Sequence, residues 1–188
     1  MDLKPVLHEY LQGTRALMLA KLEGLSEYDR RRPLVRSGTN LLGLVKHLAG
    51  IEYVYLGTSL GRPPEEKLAW EEDGSVWDGA DMWALPTETS EYLTALYRRA
   101  CEHGDRTLAE LDLDAPAEVP HWPAEHRKTT LGVLLVRVVD ETAHHAGHAD
   151  IVRELIDGQG GADADMVDEA GWREYHAKVQ EAAEAFRH

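Results

Sequence analysis

Several features are scarce in this sequence, and each scarcity excludes a class of protein. Cysteine occurs once, at Cys101, so neither an intramolecular disulfide nor a cysteine-based zinc site can form. No apolar run is long enough to cross a membrane, and the first residues, MDLKPVLHEYLQG, lack the charged start and apolar stretch of a signal peptide. We therefore expect a cytoplasmic protein with no membrane partner.

Basic residues are scarce relative to acidic ones. The chain holds 20 Lys and Arg against 34 Asp and Glu, which gives a formal net charge of −14. Proteins that bind nucleic acid backbones need an excess of basic groups to displace counterions. The RRR run at residues 30–32 is short and is followed at once by Pro33, so we expect a solvated corner and predict no nucleic acid partner.

The sequence predicts helices and no alternating strands. Apolar residues recur at three- and four-residue steps in four long segments and one shorter, mostly polar one, over about 3–25, 41–57, 87–111, 129–158 and 169–186. We predict an all-α four-helix bundle with a short extra C-terminal helix, anchored by Trp172, Tyr175, Val179 and Phe186.

Length favours a single domain. We expect one domain over 1–188, with a bundle core of about 3–158 and a C-terminal extension of 159–188.

Two connectors are long or rich in proline, and both carry aromatic residues. The first spans 58–86 and the second 115–127. Connectors of this length often serve a site, so we expect them to shape a substrate pocket with Trp70, Trp77, Trp83, His121 and Trp122. The alternative is that these tryptophans cover the outside of the bundle.

Imidazole and carboxylate groups gather on the last long helix. At about 100° per residue, Glu141, His145 and His148 point within about 60° of one another, and spacings of three and four residues let such groups converge on one ion. His144 also lies four residues before His148, so the spacing leaves open which of these residues would bind one ion together. Asp140, one step round, is a candidate to orient a ligand imidazole. The alternative is a solvated polar stripe.

His47 lies on the buried face of the second helix, where an unpaired imidazole would cost about 1–3 kcal/mol. It could pair with a carbonyl or with Glu52, but the cluster on the last helix favours metal ligation. A site of His47, Glu141 and His145 would leave coordination open, as catalytic zinc sites do. The sequence has neither HEXXH nor GxSxG spacing, and Cys101 has no histidine at a diagnostic spacing.

Two stretches carry a family resemblance. SGTNLLGLVKHLAGIEYVYLG (37–57) and DETAHHAGHADIVRELIDG (140–158) resemble the DinB-like metalloprotein superfamily, and look closest to its actinobacterial mini-DinB branch. The resemblance covers roughly residues 5–158. It implies a bundle of up-down-down-up order, with a divalent metal held by one histidine of the second helix and two ligands of the last long helix.

The resemblance also implies ligands. The superfamily usually has His-x-x-x-His on the last helix, and its mycothiol-dependent isomerase relatives place Glu first, so the ligands carried over are His47, Glu141 and His145. His148 stands where many members have Gln. It would be a fourth ligand, a partner of a metal-bound water, or the third ligand in place of Glu141.

The activity implied by the resemblance is transfer of a low-molecular-weight thiol such as mycothiol to a small electrophile, a reaction typical of detoxification. Zinc fits the ligand types best, and Ni, Mn or Fe would bind the same set. Two other functions stay open: metal-dependent hydrolysis of a small molecule, with Glu141 or His148 as base, and a non-catalytic, stress-related metal-binding bundle. The sequence is also compatible with a homodimer.

Overall fold

A computed structural model describes residues 2–159 and 166–187. Its elements, in chain order, are α1 (Leu3–Ala20), α2 (Glu27–Arg31), α3 (Leu41–Tyr55), a 3-10 turn (Thr58–Leu60), α4 (Ala69–Glu72), two further 3-10 turns (Ser75–Asp78 and Ala80–Met82), α5 (Ser90–Glu110), β1 (Pro116–Glu118), β2 (Lys128–Thr130), α6 (Leu131–Asp157) and α7 (Glu169–Glu184). No helix in the described ranges is long and apolar enough to cross a membrane.

The four long helices α1, α3, α5 and α6 form a bundle whose core consists of two apolar clusters. One cluster includes Leu11, Tyr55, Leu108 and Leu134, and the other includes Met18, Leu42, Leu93 and Val152. α1 and α6 therefore run from the first cluster to the second, while α3 and α5 run the opposite way. This confirms the predicted all-α bundle of up-down-down-up order.

Helix starts follow from local capping. Asn40 accepts a hydrogen bond from the Gly43 N–H through its side-chain oxygen at 2.8 Å, and Thr89 caps α5 in the same way.

The structure differs from the sequence-based expectations in several details, among them the short helices α2 and α4, which were not predicted. α1 ends at Ala20 instead of near residue 25, although Leu22 is still buried in the core. β1 and β2 form a small antiparallel pair that the sequence did not predict. The predicted anchoring of the C-terminal helix is wrong, because all four predicted anchor residues are exposed.

The expected C-terminal extension falls partly outside the described residues, since 160–165 are not among them. The single domain over 1–188 stays a prediction.

A buried ionic network joins α1, α3 and α5. Arg15 donates to both oxygens of Glu52 at 2.7 Å and to Asp105 Oδ1 at 2.6 Å. The side chains of Arg15 and Glu52 are only 6% and 1% exposed. His8 also contacts Asp105 at 2.7 Å. Glu52 is therefore the partner of Arg15, not of His47 as one sequence-based alternative had it.

The connector between α3 and α5 is tied down over the start of α3. The buried Lys46 ammonium bonds to Glu88 at 2.9 Å and to the Trp83 carbonyl at 3.1 Å, and Asn40 donates to the Met82 carbonyl at 3.1 Å. Gly43 permits this approach, since a Cβ at that position would lie 1.9 Å from the Met82 carbonyl oxygen. The connector thus passes close to the helix that carries His47.

Candidate metal centre

Three side chains from two helices converge on one point. His47 comes from the middle of α3, and Glu141 and His145 lie one turn apart on α6. Glu141 Oε1 lies 3.4 Å from His47 Nε2 and 3.2 Å from His145 Nε2. One ligand atom from each residue lies within 4.8 Å of the other two.

These separations suit a shared ion. Two ligands each about 2.0–2.1 Å from a tetrahedral zinc are about 3.3 Å apart. Two imidazole nitrogens and one carboxylate oxygen are also ligands that zinc and other divalent transition metals accept. The group could therefore hold a metal ion.

His148 is not part of this group. Its ring is exposed, and its Nδ1 lies 3.4 Å from His145 Nδ1, on the side of the His145 ring that faces away from Glu141. His144 is exposed as well and contacts the His148 ring at a centroid distance of 4.4 Å. Ligation by His148 stays a prediction.

Two of the three converging side chains, His47 and Glu141, are held from behind by a partner. Asp81 Oδ2 contacts His47 Nδ1 at 2.6 Å, and Arg137 donates to Glu141 Oε2 at 2.6 Å. Partners of this kind fix the orientation of ligand side chains and their protonation. The sequence did not identify Asp81, because the connector has no periodicity and the contact spans 34 residues. Asp140 was expected in this role, but it is 75% exposed and pairs with Arg137 at 3.9 Å.

Burial and nearby charges set the protonation of the three converging groups. Burial, with the charge of His47, lowers the pKa of His145 to about 4, so this imidazole is neutral at pH 7. Burial raises the pKa of Glu141, but Arg137 and the two histidines outweigh it and lower that pKa overall. Burial lowers the pKa of His47, yet the hydrogen bond to Asp81 raises it overall. A neutral imidazole and an ionised carboxylate are the forms that bind metals.

A cavity of about 500 Å³ opens beside the group. Its lining includes His47, Asp81, Glu141, Glu71, Arg137, Tyr55, Trp77, His121 and Trp122. Three of the five predicted pocket residues therefore lie here, two of them from the connection between β1 and β2. Trp70 is instead buried in the core, at 4% exposed, and Trp83 is half-exposed and does not line the cavity.

The aromatic part of the wall is a continuous set of ring contacts. Tyr55 lies 5.8 Å from Trp122 and 6.1 Å from His121, and His121 lies 5.7 Å from Trp77, measured between ring centroids. The cavity thus has an aromatic side and a charged side at the converging ligands.

Comparisons with known proteins support the fold and identify the family. The chain resembles a solved structure described as a conserved protein of locus from Enterococcus faecalis, with a TM-score of 0.62 and 15% identity over 84% of this chain and 99% of the other. At that identity the likeness shows the fold alone. No curated protein matches the chain. The family model for mycothiol-S-transferase matches residues 6–158, so the chain belongs to this DinB-like family, as its two motifs predicted.

Proposed function

We propose that the protein is a divalent-metal-dependent transferase that conjugates a low-molecular-weight thiol, of the mycothiol type, to a small electrophile. The observation that carries the proposal is the convergence of His47, Glu141 and His145 beside an open cavity, which His47 and Glu141 line. Three protein ligands leave coordination positions for a substrate, as in catalytic metal sites. Zinc is the proposed metal, and His148 an additional ligand candidate.

The proposed metal would supply Lewis acidity, which lowers the pKa of a thiol that it binds. The protein's own groups do the rest. His145 and Glu141 present their metal-binding forms near pH 7, and Asp81 and Arg137 hold His47 and Glu141 in position. Trp77 and Trp122 offer apolar surface on which the substrate can pack.

Among the described residues, the cavity lining holds no serine, threonine, cysteine or lysine that could act as the nucleophile. Cys101 lies on α5 and is packed against the core, not in the cavity lining. Burial and the charge of Glu52 raise the pKa of its thiol, which keeps it protonated and unreactive. The nucleophile must therefore arrive with a substrate, as a thiol co-substrate would.

The proposed activity is tested with zinc-loaded protein whose metal content is verified by elemental analysis. Chlorodinitrobenzene or a bimane is offered with mycothiol, bacillithiol, glutathione or cysteine in parallel, with and without chelator. We expect turnover that is fastest with mycothiol and is lost with chelator. Turnover of an ester or amide without thiol would favour a hydrolase, and full metal occupancy without any turnover would favour a metal-binding protein.

The orienting role of Asp81 gives a separate prediction. Asp81→Ala removes the acceptor behind His47, so we expect metal affinity to fall about 10- to 100-fold, as is typical for such partners. Competition with a chromogenic chelator measures the change. Asp78→Ala, an exposed neighbour in the preceding 3-10 turn, is the matched control. Equal affinity of Asp81→Ala and wild type would contradict the role.

The sequence-based expectations of a cytoplasmic location, a role in detoxification and a homodimer accompany this proposal as predictions.

A further inference from the structure

One carboxylate of the cavity differs from the other two. Asp81 is engaged by His47, and Glu141 is engaged by Arg137, His47 and His145. Glu71 lines the same cavity, yet among the described residues its carboxylate has neither a hydrogen-bond partner nor an ion-pair partner. It also stands outside the three-residue group that could hold a metal. A carboxylate in this position is free to contact a substrate.

The fold holds Glu71 in place through its neighbour. Glu71 belongs to α4, a single turn that packs over α3 at Gly50. A Cβ on Gly50 would lie 3.7 Å from Trp70 Nε1 and 3.9 Å from Glu71 Oε1. Trp70 is buried, and the Lys46 ammonium lies 4.4 Å from its ring centroid. Glu71 is therefore anchored at its backbone while its carboxylate borders the cavity.

The surroundings of Glu71 suit proton transfer. Glu71 is exposed as a residue, but partial desolvation at the cavity wall and the negative charge of Asp81 raise its pKa, and His47 offsets part of this rise. A carboxyl with a raised pKa is a better proton acceptor near neutral pH. The other titratable or charged groups in the cavity lining are His47, Tyr55, Asp81, His121, Arg137 and Glu141. His121 packs against the Trp77 ring, and His47 and Glu141 belong to the three-residue group that could hold a metal.

We infer that Glu71 is a catalytic residue that accepts the proton of the thiol substrate; this inference rests on the proposed function. The S–H bond breaks and its proton passes to the Glu71 carboxylate. The sulfur electron pair then forms the bond to the electrophilic carbon, and the bond to the leaving group breaks with its electron pair. Glu71 returns its proton to the leaving group, or to water when the leaving group is a halide.

The test compares Glu71→Gln with wild type and with Glu72→Gln, a neighbouring carboxylate that pairs with Lys67 outside the cavity. All three proteins are loaded with zinc and assayed with mycothiol and chlorodinitrobenzene. We expect Glu71→Gln to lower kcat/KM about 100-fold, within the usual range for a general base. It should also remove the acidic limb of the pH profile, with zinc content and thiol affinity unchanged. Glu72→Gln should behave as wild type.

Infrared difference spectra give a readout that does not depend on turnover. Mycothiol binding without electrophile should protonate Glu71, so the carbonyl band of a protonated carboxyl appears in wild type and Glu72→Gln but not in Glu71→Gln. Absence of the band in wild type, or unchanged kcat/KM in Glu71→Gln, overturns the role of Glu71 alone. If Glu71→Gln lost its zinc, Glu71 would be a metal ligand, and its role as proton acceptor would be overturned as well. A zinc-loaded wild type that transfers no thiol overturns the proposed function together with this inference.

Discussion

Replacing His145 with alanine is expected to remove stoichiometric metal from the protein. His145 is buried, and its Nε2 is one of three converging ligand atoms. Loss of a partner behind a ligand usually lowers metal affinity about 10- to 100-fold, so loss of the ligand itself should lower it by more than about 100-fold. Elemental analysis after dialysis measures the change, and thiol transfer should disappear with the metal.

The neighbouring variant His144→Ala is the matched control, because His144 is exposed on the same helix and lies outside the group. It should retain metal. A His145→Ala protein that kept one metal per chain after dialysis would remove the proposed site. If Glu141→Gln kept metal while His148→Ala lost it, the third ligand would be His148.

Replacing Arg15 with methionine is expected to cause the largest loss of stability. The change leaves Glu52, which is 1% exposed at its side chain, without its bidentate partner. Breaking a buried ion pair from one side costs about 3–5 kcal/mol, because the remaining charge stays buried and unpaired. For a chain of this size we expect the midpoint of thermal unfolding to fall by about 6–20 °C. Differential scanning calorimetry measures it.

Two further variants separate burial from charge in this prediction. The double variant Arg15→Met/Glu52→Leu removes both charges, so it should recover most of the lost stability. Arg99 makes the same bidentate contact with Glu66 but is 44% exposed, and Arg99→Met should cost no more than about 1 kcal/mol. Equal losses for Arg15→Met and Arg99→Met would show that burial does not govern the effect.

The sequence predicted those parts of the molecule that depend on helical periodicity. Helical spacing placed Glu141, His145 and His148 on one face and His47 on the buried face of its own helix, and the family resemblance then selected His47, Glu141 and His145 as the predicted ligands. The same rule overextended α1, because Leu22 continues the apolar pattern and is buried, although the helix has already ended at Ala20. Apolar spacing reports burial, and it does not report where backbone hydrogen bonding stops.

His148 shows a second limit of periodicity. It points in nearly the same direction as Glu141, but seven residues along a helix amount to about 10 Å of rise. Angle alone could not show that His47 meets α6 at the level of Glu141 and His145, which only the packing of α3 on α6 decides. The roles of Asp81 and Glu71 could not be predicted from the sequence for another reason, because irregular connectors carry no repeating pattern.

The close approach of the connector to Gly43 changes what counts as the transferable unit of this site. If only the three converging residues were copied onto another helical bundle, His47 would be free to rotate. Asp81, which orients His47, belongs to the connector that crosses α3 at Gly43. That crossing lies one turn before His47 and exists only because residue 43 has no side chain. The smallest unit that could be transferred to another bundle is therefore the three converging residues together with Gly43 and the connector that packs against it.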